Sequence, residues 1–283
     1  MNLRDKINQC ITQLAAVYDS REARNILELA IEHLKGWNKV DILMNSDKEV
    51  SDFISGKIDA IVDRLLRHEP IQYILGETYW HGLKLKVAPG VLIPRPETSQ
   101  LVDIITDDNH ASDLNVLDIC TGSGAIAVAL SRNLDFPDVT ALDISKEALG
   151  IAEENDRDLH TVVKFIMADI LKPLPFDNGS FDIIVSNPPY ICESERQGMS
   201  ANVLDYEPSI ALFVPDSDPL KFYRPIAAEG HRIARDGGRL YLEINPAHAD
   251  ALKSLLVSEG WTDVTILNDI TGRRRFIKAV KGE

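Results

Sequence analysis

Phe181-Asp-Ile-Ile-Val-Ser-Asn-Pro-Pro-Tyr-Ile-Cys192 is the stretch on which the reading of this chain turns. Its first five residues are short, β-branched and almost uncharged, the pattern of a buried parallel strand. A polar asparagine then stands at the carboxyl end of the strand, followed by two prolines and an aromatic ring. Consecutive prolines fix φ and remove two backbone donors, so the exit is stiff and rich in carbonyl acceptors. An ordinary strand exit with a Pro-Pro turn would look similar. However, the carboxyl edge of a parallel sheet is where open α/β folds place their chemistry.

Working outward, strands and helices alternate on both sides. Val116–Ile119, Val139–Leu142 and Val162–Ile166 read as strands, with helices at Gly124–Arg132 and Lys146–Asp156. Beyond the central stretch come a helix from about Pro219 to Arg235 and a strand Gly238–Ile244. A helix Ala247–Ser258 follows, then strands Thr262–Asn268 and Arg274–Val280. This alternation predicts an α/β, doubly wound and mostly parallel sheet of seven strands. The turn Asp269-Ile-Thr-Gly272 is too short for a parallel crossover, so the last two strands must pair antiparallel.

Toward the N-terminus the period changes. Residues 2–35 and about 51–68 carry apolar side chains at helical spacing, among them Ile7, Ile11, Leu14, Ile26, Leu29, Ile58 and Leu65. A small helical bundle ending at His68-Glu69-Pro70 is expected, its side chains serving packing and not chemistry. Leu83, Leu85 and Val87 alternate with Lys84 and Lys86, a half-buried strand reached through Trp80-His81-Gly82. The expected organisation is therefore a helical domain over 1–75, a β-hairpin linker over 76–95 and a catalytic domain over 96–283. In Val91-Leu-Ile-Pro-Arg-Pro-Glu-Thr98, two prolines bracket Arg95 ahead of a helix beginning near Thr98. That segment is either a rigid linker or a wall of a substrate pocket.

The 283 residues are 45% hydrophobic and 26% charged, enough for a sizeable core. No apolar run approaches the roughly 20 residues of a membrane span, and Met1–Lys6 opens an amphipathic helix with no signal-like apolar region behind it. Cys10, Cys120 and Cys192 are scattered, which argues against a disulfide framework or a zinc site and suits a reducing cytoplasm. No metal site is expected. The net charge is −14, and residues 1–70 hold 10 basic and 12 acidic side chains, leaving 20 and 32 beyond. So acidic a second part disfavours long-range attraction to DNA or RNA, although a local basic patch could suffice.

Three further segments carry candidate chemistry. Asp118-Ile-Cys-Thr-Gly-Ser-Gly124 leaves the first strand and enters the first helix, and its glycines let backbone N–H groups approach a ligand closely. Asp143 ends the second strand, where a carboxylate can accept from both hydroxyls of a ribose. Asp169, after the third, could take an adenine amino group, with Ile170 as an apolar wall. These features fit a nicotinamide dinucleotide as well as S-adenosyl-L-methionine. Any one of the acids alone could be a surface carboxylate.

Together, the glycine loop, Asp143, Asp169 and Asn187-Pro-Pro-Tyr190 resemble a class I methyltransferase that methylates amino groups with S-adenosyl-L-methionine. Within that class the chain is similar to the protein-(glutamine-N5) methyltransferases that modify peptide chain release factors. The resemblance runs through Ile71-Gln-Tyr-Ile-Leu-Gly76, Val91–Thr98, Asn187–Ile191 and Asp205-Tyr-Glu-Pro208, and covers nearly the whole length including the helical part. It implies a cytoplasmic enzyme whose substrate is the glutamine of the Gly-Gly-Gln loop in class 1 release factors, without stable nucleic-acid binding. Asn187, Pro188, Pro189 and Tyr190 would be catalytic. Cys120, Thr121, Gly122, Ser123, Gly124, Asp143, Asp169, Ile170 and Asn187 would bind the cofactor. Arg95 and Glu97 would orient the substrate loop.

Two positions depart from the family pattern. Cys120 stands where glycine is commoner, and Ser99 where a glutamate often follows Thr98. The rival readings are an adenine-N6 methyltransferase acting on DNA or RNA, a nicotinamide-dependent dehydrogenase, and a fold that binds cofactor without turnover. The dehydrogenase has no place for Asn-Pro-Pro-Tyr or for an antiparallel terminal hairpin.

Overall fold

The computed structural model describes residues 1–282, which divide into two units. Met1–Glu77 and Ser200–Tyr206 form the first, and Thr78–Met199 with Glu207 onward forms the second.

In the first unit, polar caps set where each helix starts. α1 (Leu3–Leu14) begins on Asn2, whose side chain accepts from Asp5 N–H. α2 (Ser20–Lys35) begins on Asp19, which accepts from Arg21 and Glu22 N–H, and ends at Gly36 in the left-handed region. The single helical period read over 2–35 is therefore two helices. The apolar pattern runs straight through Ala15–Tyr18, but Asp19 captures the next two N–H groups and restarts the ladder. α3 (Lys39–Met44) carries a reciprocal Asn38–Asp41 capping box, and α4 (Asp52–Leu65) starts on Ser51. α4 stops five residues before Pro70, and that proline opens α5 (Ile71–Leu75), where a missing N–H costs nothing. Leu14, Leu27, Ile31, Ile58 and Leu65 close the core of this unit. Fully buried side chains of this size each contribute about 1.5–3 kcal/mol of transfer free energy. Lys6, almost fully buried, is held by Asp59 at 2.6 Å.

β1 (Glu77–Trp80) and β2 (Leu83–Lys86) form a two-stranded sheet, turned at His81 and Gly82, which both have positive φ as a tight hairpin requires. Trp80, Leu83 and Leu85 pack into the second unit's core beside α6 (Pro96–Asp108). The sheet then builds through β3 (Asn115–Ile119), α7 (Ala125–Asn133), β4 (Asp138–Asp143), α8 (Lys146–Leu159), β5 (Val163–Met167) and β6 (Phe181–Ser186). β7 (Ile191–Cys192) pairs in parallel with β8 (Phe213–Val214), and between them α9 (Ala201–Tyr206) belongs to the first unit. Periodicity alone offers no sign of this two-residue pair. α10 (Tyr223–Ile233), β9 (Ala234–Glu243), α11 (Ala249–Ser258), β10 (Trp261–Asn268) and β11 (Arg274–Lys281) complete the chain.

The seven-stranded sheet has the order β10-β11-β9-β6-β3-β4-β5. β6, β3, β4, β5 and β9 run parallel, while β11 is antiparallel to both β9 and β10. The expected fold class and terminal antiparallel hairpin are both present. Side chains alternate between the two faces. Ile183 and Val185 of β6 pack with α6 and α7, whereas Ile184 packs with α10 and α11. β9 starts four residues earlier than its apolar run. The register slips against β6 between Phe181 and Ile183, and a Cβ on Gly238 would come 2.7 Å from Arg235 O. Asp236-Gly-Gly238 thus forms a bulge inside the strand rather than a loop before it.

Candidate active site

The chain winds from β3 out to β5, then returns to place β6 on the other side of β3, a reversal that opens a crevice at the carboxyl ends of the two central strands. Ile119 and Ser186 are register neighbours, and Ser186 Oγ donates to Ile119 O at 2.7 Å. The glycine loop and the Asn-Pro-Pro-Tyr loop therefore leave the sheet side by side.

A cavity of about 250 Å³ lies at this crevice. Cys120, Thr121, Gly122 and Ser123 line it, with Asp143, Ile144 and Ser145 after β4 and Asp169, Ile170 and Leu171 after β5. Asn187 and Pro189 face it from β6, Arg95 and Thr98 from the segment entering α6, and Ile210, Lys221 and Phe222 from the segments flanking β8. Four of the residues singled out in the sequence, Glu97, Gly124, Pro188 and Tyr190, do not line it. Gly124 packs against α8, where an added Cβ would stand 2.9 Å from Ala152 Cβ. Pro188 is buried within the loop, and Tyr190 directs its hydroxyl to Glu243.

Asp143 organises the glycine loop. Its two oxygens accept from Gly122 N–H and Ser145 N–H, each at 2.9 Å. Each oxygen keeps a further lone pair for a ligand hydroxyl. Burial raises this carboxyl's pKa, and the N–H bonds from Ser145 and Gly122 oppose the shift.

Asp118 lies deeper, with no exposed surface. Thr121 Oγ1 donates to its Oδ2 at 2.6 Å, while Oδ1 has no hydrogen-bond partner among the described residues. Burial, reinforced by the charge of Asp143, pushes its pKa from 3.8 up to about 7. With the folded value above the unfolded one, the folded state holds the extra proton between those two values. Stability therefore falls as pH rises through that window and levels off above it. Asp118→Asn should flatten this dependence in denaturant midpoints taken from pH 4 to pH 8. Equal slopes for the two proteins would show that Asp118 is not the group responsible.

Cys120 has φ +63°, in the left-handed region that glycine occupies without cost. Burial, then the charges of Asp143 and Asp118, raise its thiol far above the ordinary range, so it stays protonated and unreactive. Cys120→Gly should change stability by no more than about 1 kcal/mol. Cys120→Val, branched at Cβ, should cost about 2 kcal/mol in chemical denaturation.

A buried polar network backs the Asn-Pro-Pro-Tyr loop. Glu243, at the end of β9 and only 1% exposed, accepts from Thr98 Oγ1 at 2.6 Å and from Tyr190 OH at 2.9 Å. Thr98 Oγ1 in turn accepts from Asn187 Nδ2 at 3.4 Å. Tyr223 OH donates to the backbone oxygen of Glu243 at 2.8 Å. Burial raises the Glu243 carboxyl, with the bonds from Thr98 and Tyr190 and the charge of Arg275 opposing it and Glu97 adding to it.

A second buried acid ties the outer wall together. Glu207 accepts from Arg95 Nη2 at 2.6 Å and from Ile93 N–H at 3.1 Å. The Tyr-Glu-Pro and Arg-Pro-Glu-Thr segments, far apart in sequence, thus meet at the rim of the cavity. Ser99 Oγ donates to Pro96 O at 2.6 Å, closing the first turn of α6. Sequence reasoning assigned no role to Thr98, Glu207 or Glu243. The signal for Glu243 was an acid set in the apolar run Leu240–Ile244.

A family model described as a methyltransferase domain matches residues 116–205, and one described as the PrmC N-terminal domain matches residues 5–76. A Bacteroides thetaiotaomicron protein named release factor glutamine methyltransferase is 44% identical over 266 residues, covering 94% of this chain and 95% of that one. A protein of the same name from Flavobacterium psychrophilum is 37% identical over 282 residues, covering 98% and 99%. Among solved structures, a methyltransferase from Pyrococcus furiosus aligns with a TM-score of 0.53 at 19% identity, over 78% of this chain and 98% of that one, a likeness of fold.

Proposed function

This chain belongs to the release factor glutamine methyltransferase family, and we propose that it transfers a methyl group from S-adenosyl-L-methionine to the side-chain amide nitrogen of a release-factor glutamine. The observation that carries this reading is the convergence of the glycine loop, Asp143, Asp169 and Asn187 on one cavity at the sheet reversal. The acceptor in view is the N5 nitrogen of the glutamine in the Gly-Gly-Gln motif of class 1 release factors.

The donor set suits the cofactor. Two acids offer acceptors to hydroxyl and amino groups, and Ile144, Ile170, Leu171 and Phe222 supply apolar walls. Gly122, Ser123, Asp143, Asp169 and Ile170 would hold it, with Thr121 and Cys120 shaping the floor and Gly124 allowing α7 to pack close to α8. When bound, S-adenosyl-L-methionine supplies an activated sulfonium methyl group.

The chain's task is to prepare the nitrogen. An amide lone pair is delocalised into its carbonyl and is a weak nucleophile. Asn187 Oδ1 and the backbone carbonyl of Pro188 accept from the two N–H bonds of the substrate amide, which localises the lone pair and fixes its direction. Pro189 keeps the loop rigid, so the acceptors are aimed before substrate arrives. Tyr190, packed against the core and anchored to Glu243 through its hydroxyl, holds the end of the loop in place. No strong base is required, because the nitrogen becomes acidic only after it is methylated. Arg95, neutralised on one side by Glu207, and Glu97 orient the incoming loop.

The test is transfer of labelled methyl groups from S-adenosyl-L-methionine to a purified class 1 release factor, beside the same factor with its Gly-Gly-Gln glutamine changed and beside DNA and RNA. Label on the unaltered factor alone is expected. Label on nucleic acid and on neither factor would overturn the reading in favour of an adenine acceptor.

A further inference from the structure

We infer that Glu243, acting through Thr98, fixes which end of the Asn187 side-chain amide faces the cavity, making both residues positioning groups for methyl transfer. The inference rests on the functional reading above and extends it to residues outside the Asn-Pro-Pro-Tyr loop.

Leu242 and Ser186 are register neighbours on β9 and β6, so Glu243 and Asn187 leave adjacent strands together. Glu243 is buried, and each of its carboxyl oxygens faces a hydroxyl donor, Thr98 Oγ1 on Oε2 and Tyr190 OH on Oε1, so both act as acceptors. A threonine hydroxyl has a single proton, and Thr98 commits it to Glu243 Oε2 at 2.6 Å. What Thr98 presents to Asn187 is therefore a lone pair. Asn187 Nδ2, a donor, occupies that place at 3.4 Å. The opposite end of the amide, Oδ1, is then the one left for the substrate.

The reversed amide would be wrong twice. Oδ1 would face an oxygen whose proton is already used, and two N–H donors would meet a substrate amide that itself offers N–H donors. Tyr190 OH fills the other oxygen of Glu243 at 2.9 Å, so the same carboxylate anchors both sides of the loop. Unlike Asn187, Glu243 does not line the cavity and so acts only through its neighbours.

The test uses the whole 283-residue chain, a class 1 release factor and labelled S-adenosyl-L-methionine. Thr98→Val keeps the shape and removes the hydroxyl, Thr98→Ser keeps the hydroxyl, and Glu243→Gln replaces a pure acceptor by a group that also donates. Thr98→Val is expected to lower kcat about tenfold or more while leaving the release-factor KM and the cofactor Kd within about threefold, the mark of an interaction used in the transition state. Thr98→Ser should recover most of the rate, and Glu243→Gln should lose at least as much as Thr98→Val.

A merely structural role would shift the melting temperature without this kcat-against-KM split and without rescue by serine. Thr98→Val turning over at the wild-type rate would overturn the inference, as would Thr98→Ser failing as badly as Thr98→Val. If Thr98→Val does not fold, Glu243→Gln decides alone, and undiminished kcat there refutes the relay. A wild-type protein that transfers no methyl group to the factor would bring down the functional reading and this inference with it. Active wild type beside active variants brings down this inference alone.

Discussion

Asn187→Ala is expected to reduce kcat for methyl transfer by about 100-fold to 1,000-fold, the usual loss when one preorganised polar partner of the reacting group is removed. The cofactor Kd should change little, because the alanine leaves intact the loops after β3, β4 and β5 that make up most of the cavity wall. The two quantities must be measured separately, Kd by calorimetry and kcat under saturating release factor. A variant that transfers at near wild-type rate would mean that the amide lone pair is localised by other groups. One that loses cofactor affinity in proportion to rate would make Asn187 a binding residue only.

The second large effect falls on packing. In Gly124→Ala, the new Cβ stands 2.9 Å from Ala152 Cβ and 3.2 Å from Ala152 Cα, on a backbone with φ +78°. The left-handed conformation costs alanine about 1 kcal/mol and the overpacking about 1–3 kcal/mol more. A total near 3 kcal/mol is expected in chemical denaturation, together with weaker cofactor binding as α7 is pushed off α8. Gly122→Ala is the control. Its φ is also positive, at +55°, but nothing lies within 4 Å of the added atom. It should lose only about 1 kcal/mol. Ala152→Gly introduced beside Gly124→Ala removes one of the clashing atoms and should recover part of the loss, a coupling that distant sites would not show. Equal costs at 122 and 124 would remove the packing explanation.

Much of this architecture was legible because its signals are local. The apolar run ending in Asn187-Pro-Pro-Tyr marks β6 and its exit, and the four-residue turn at Asp269–Gly272 forces β10 and β11 antiparallel. The glycine loop and the acids after β4 and β5 were readable because each follows its own strand. One helix start, by contrast, was legible only through side-chain capping. Asp19 and Glu22 stand three apart, a capping-box spacing, but the apolar residues around Val17 hid the break between α1 and α2.

The partners of the site were not legible, since hydrogen bonding between distant residues leaves no periodic trace. Thr98 and Glu243 are 145 residues apart and Arg95 and Glu207 are 112 apart. Only the folded sheet, by placing β9 next to β6, brings Glu243 under Tyr190 and Asn187. The resemblance pointed to the Tyr-Glu-Pro and Arg-Pro-Glu-Thr segments without saying that the glutamate of one holds the arginine of the other. Tyr190 was read as a ring alone, and its hydroxyl, which anchors the loop, had no visible partner in the sequence.

The central claim is that the acceptor is an amide nitrogen, prepared by acceptors on the β6 loop. The most direct measurement is acid hydrolysis of release factor labelled with methyl groups by this protein, followed by identification of the volatile product. Labelled methylamine, arising from one glutamine-containing peptide, is the predicted result, because hydrolysis of an N-methyl amide leaves the methyl on nitrogen. Labelled methanol would place the methyl on a carboxylate oxygen and contradict the account.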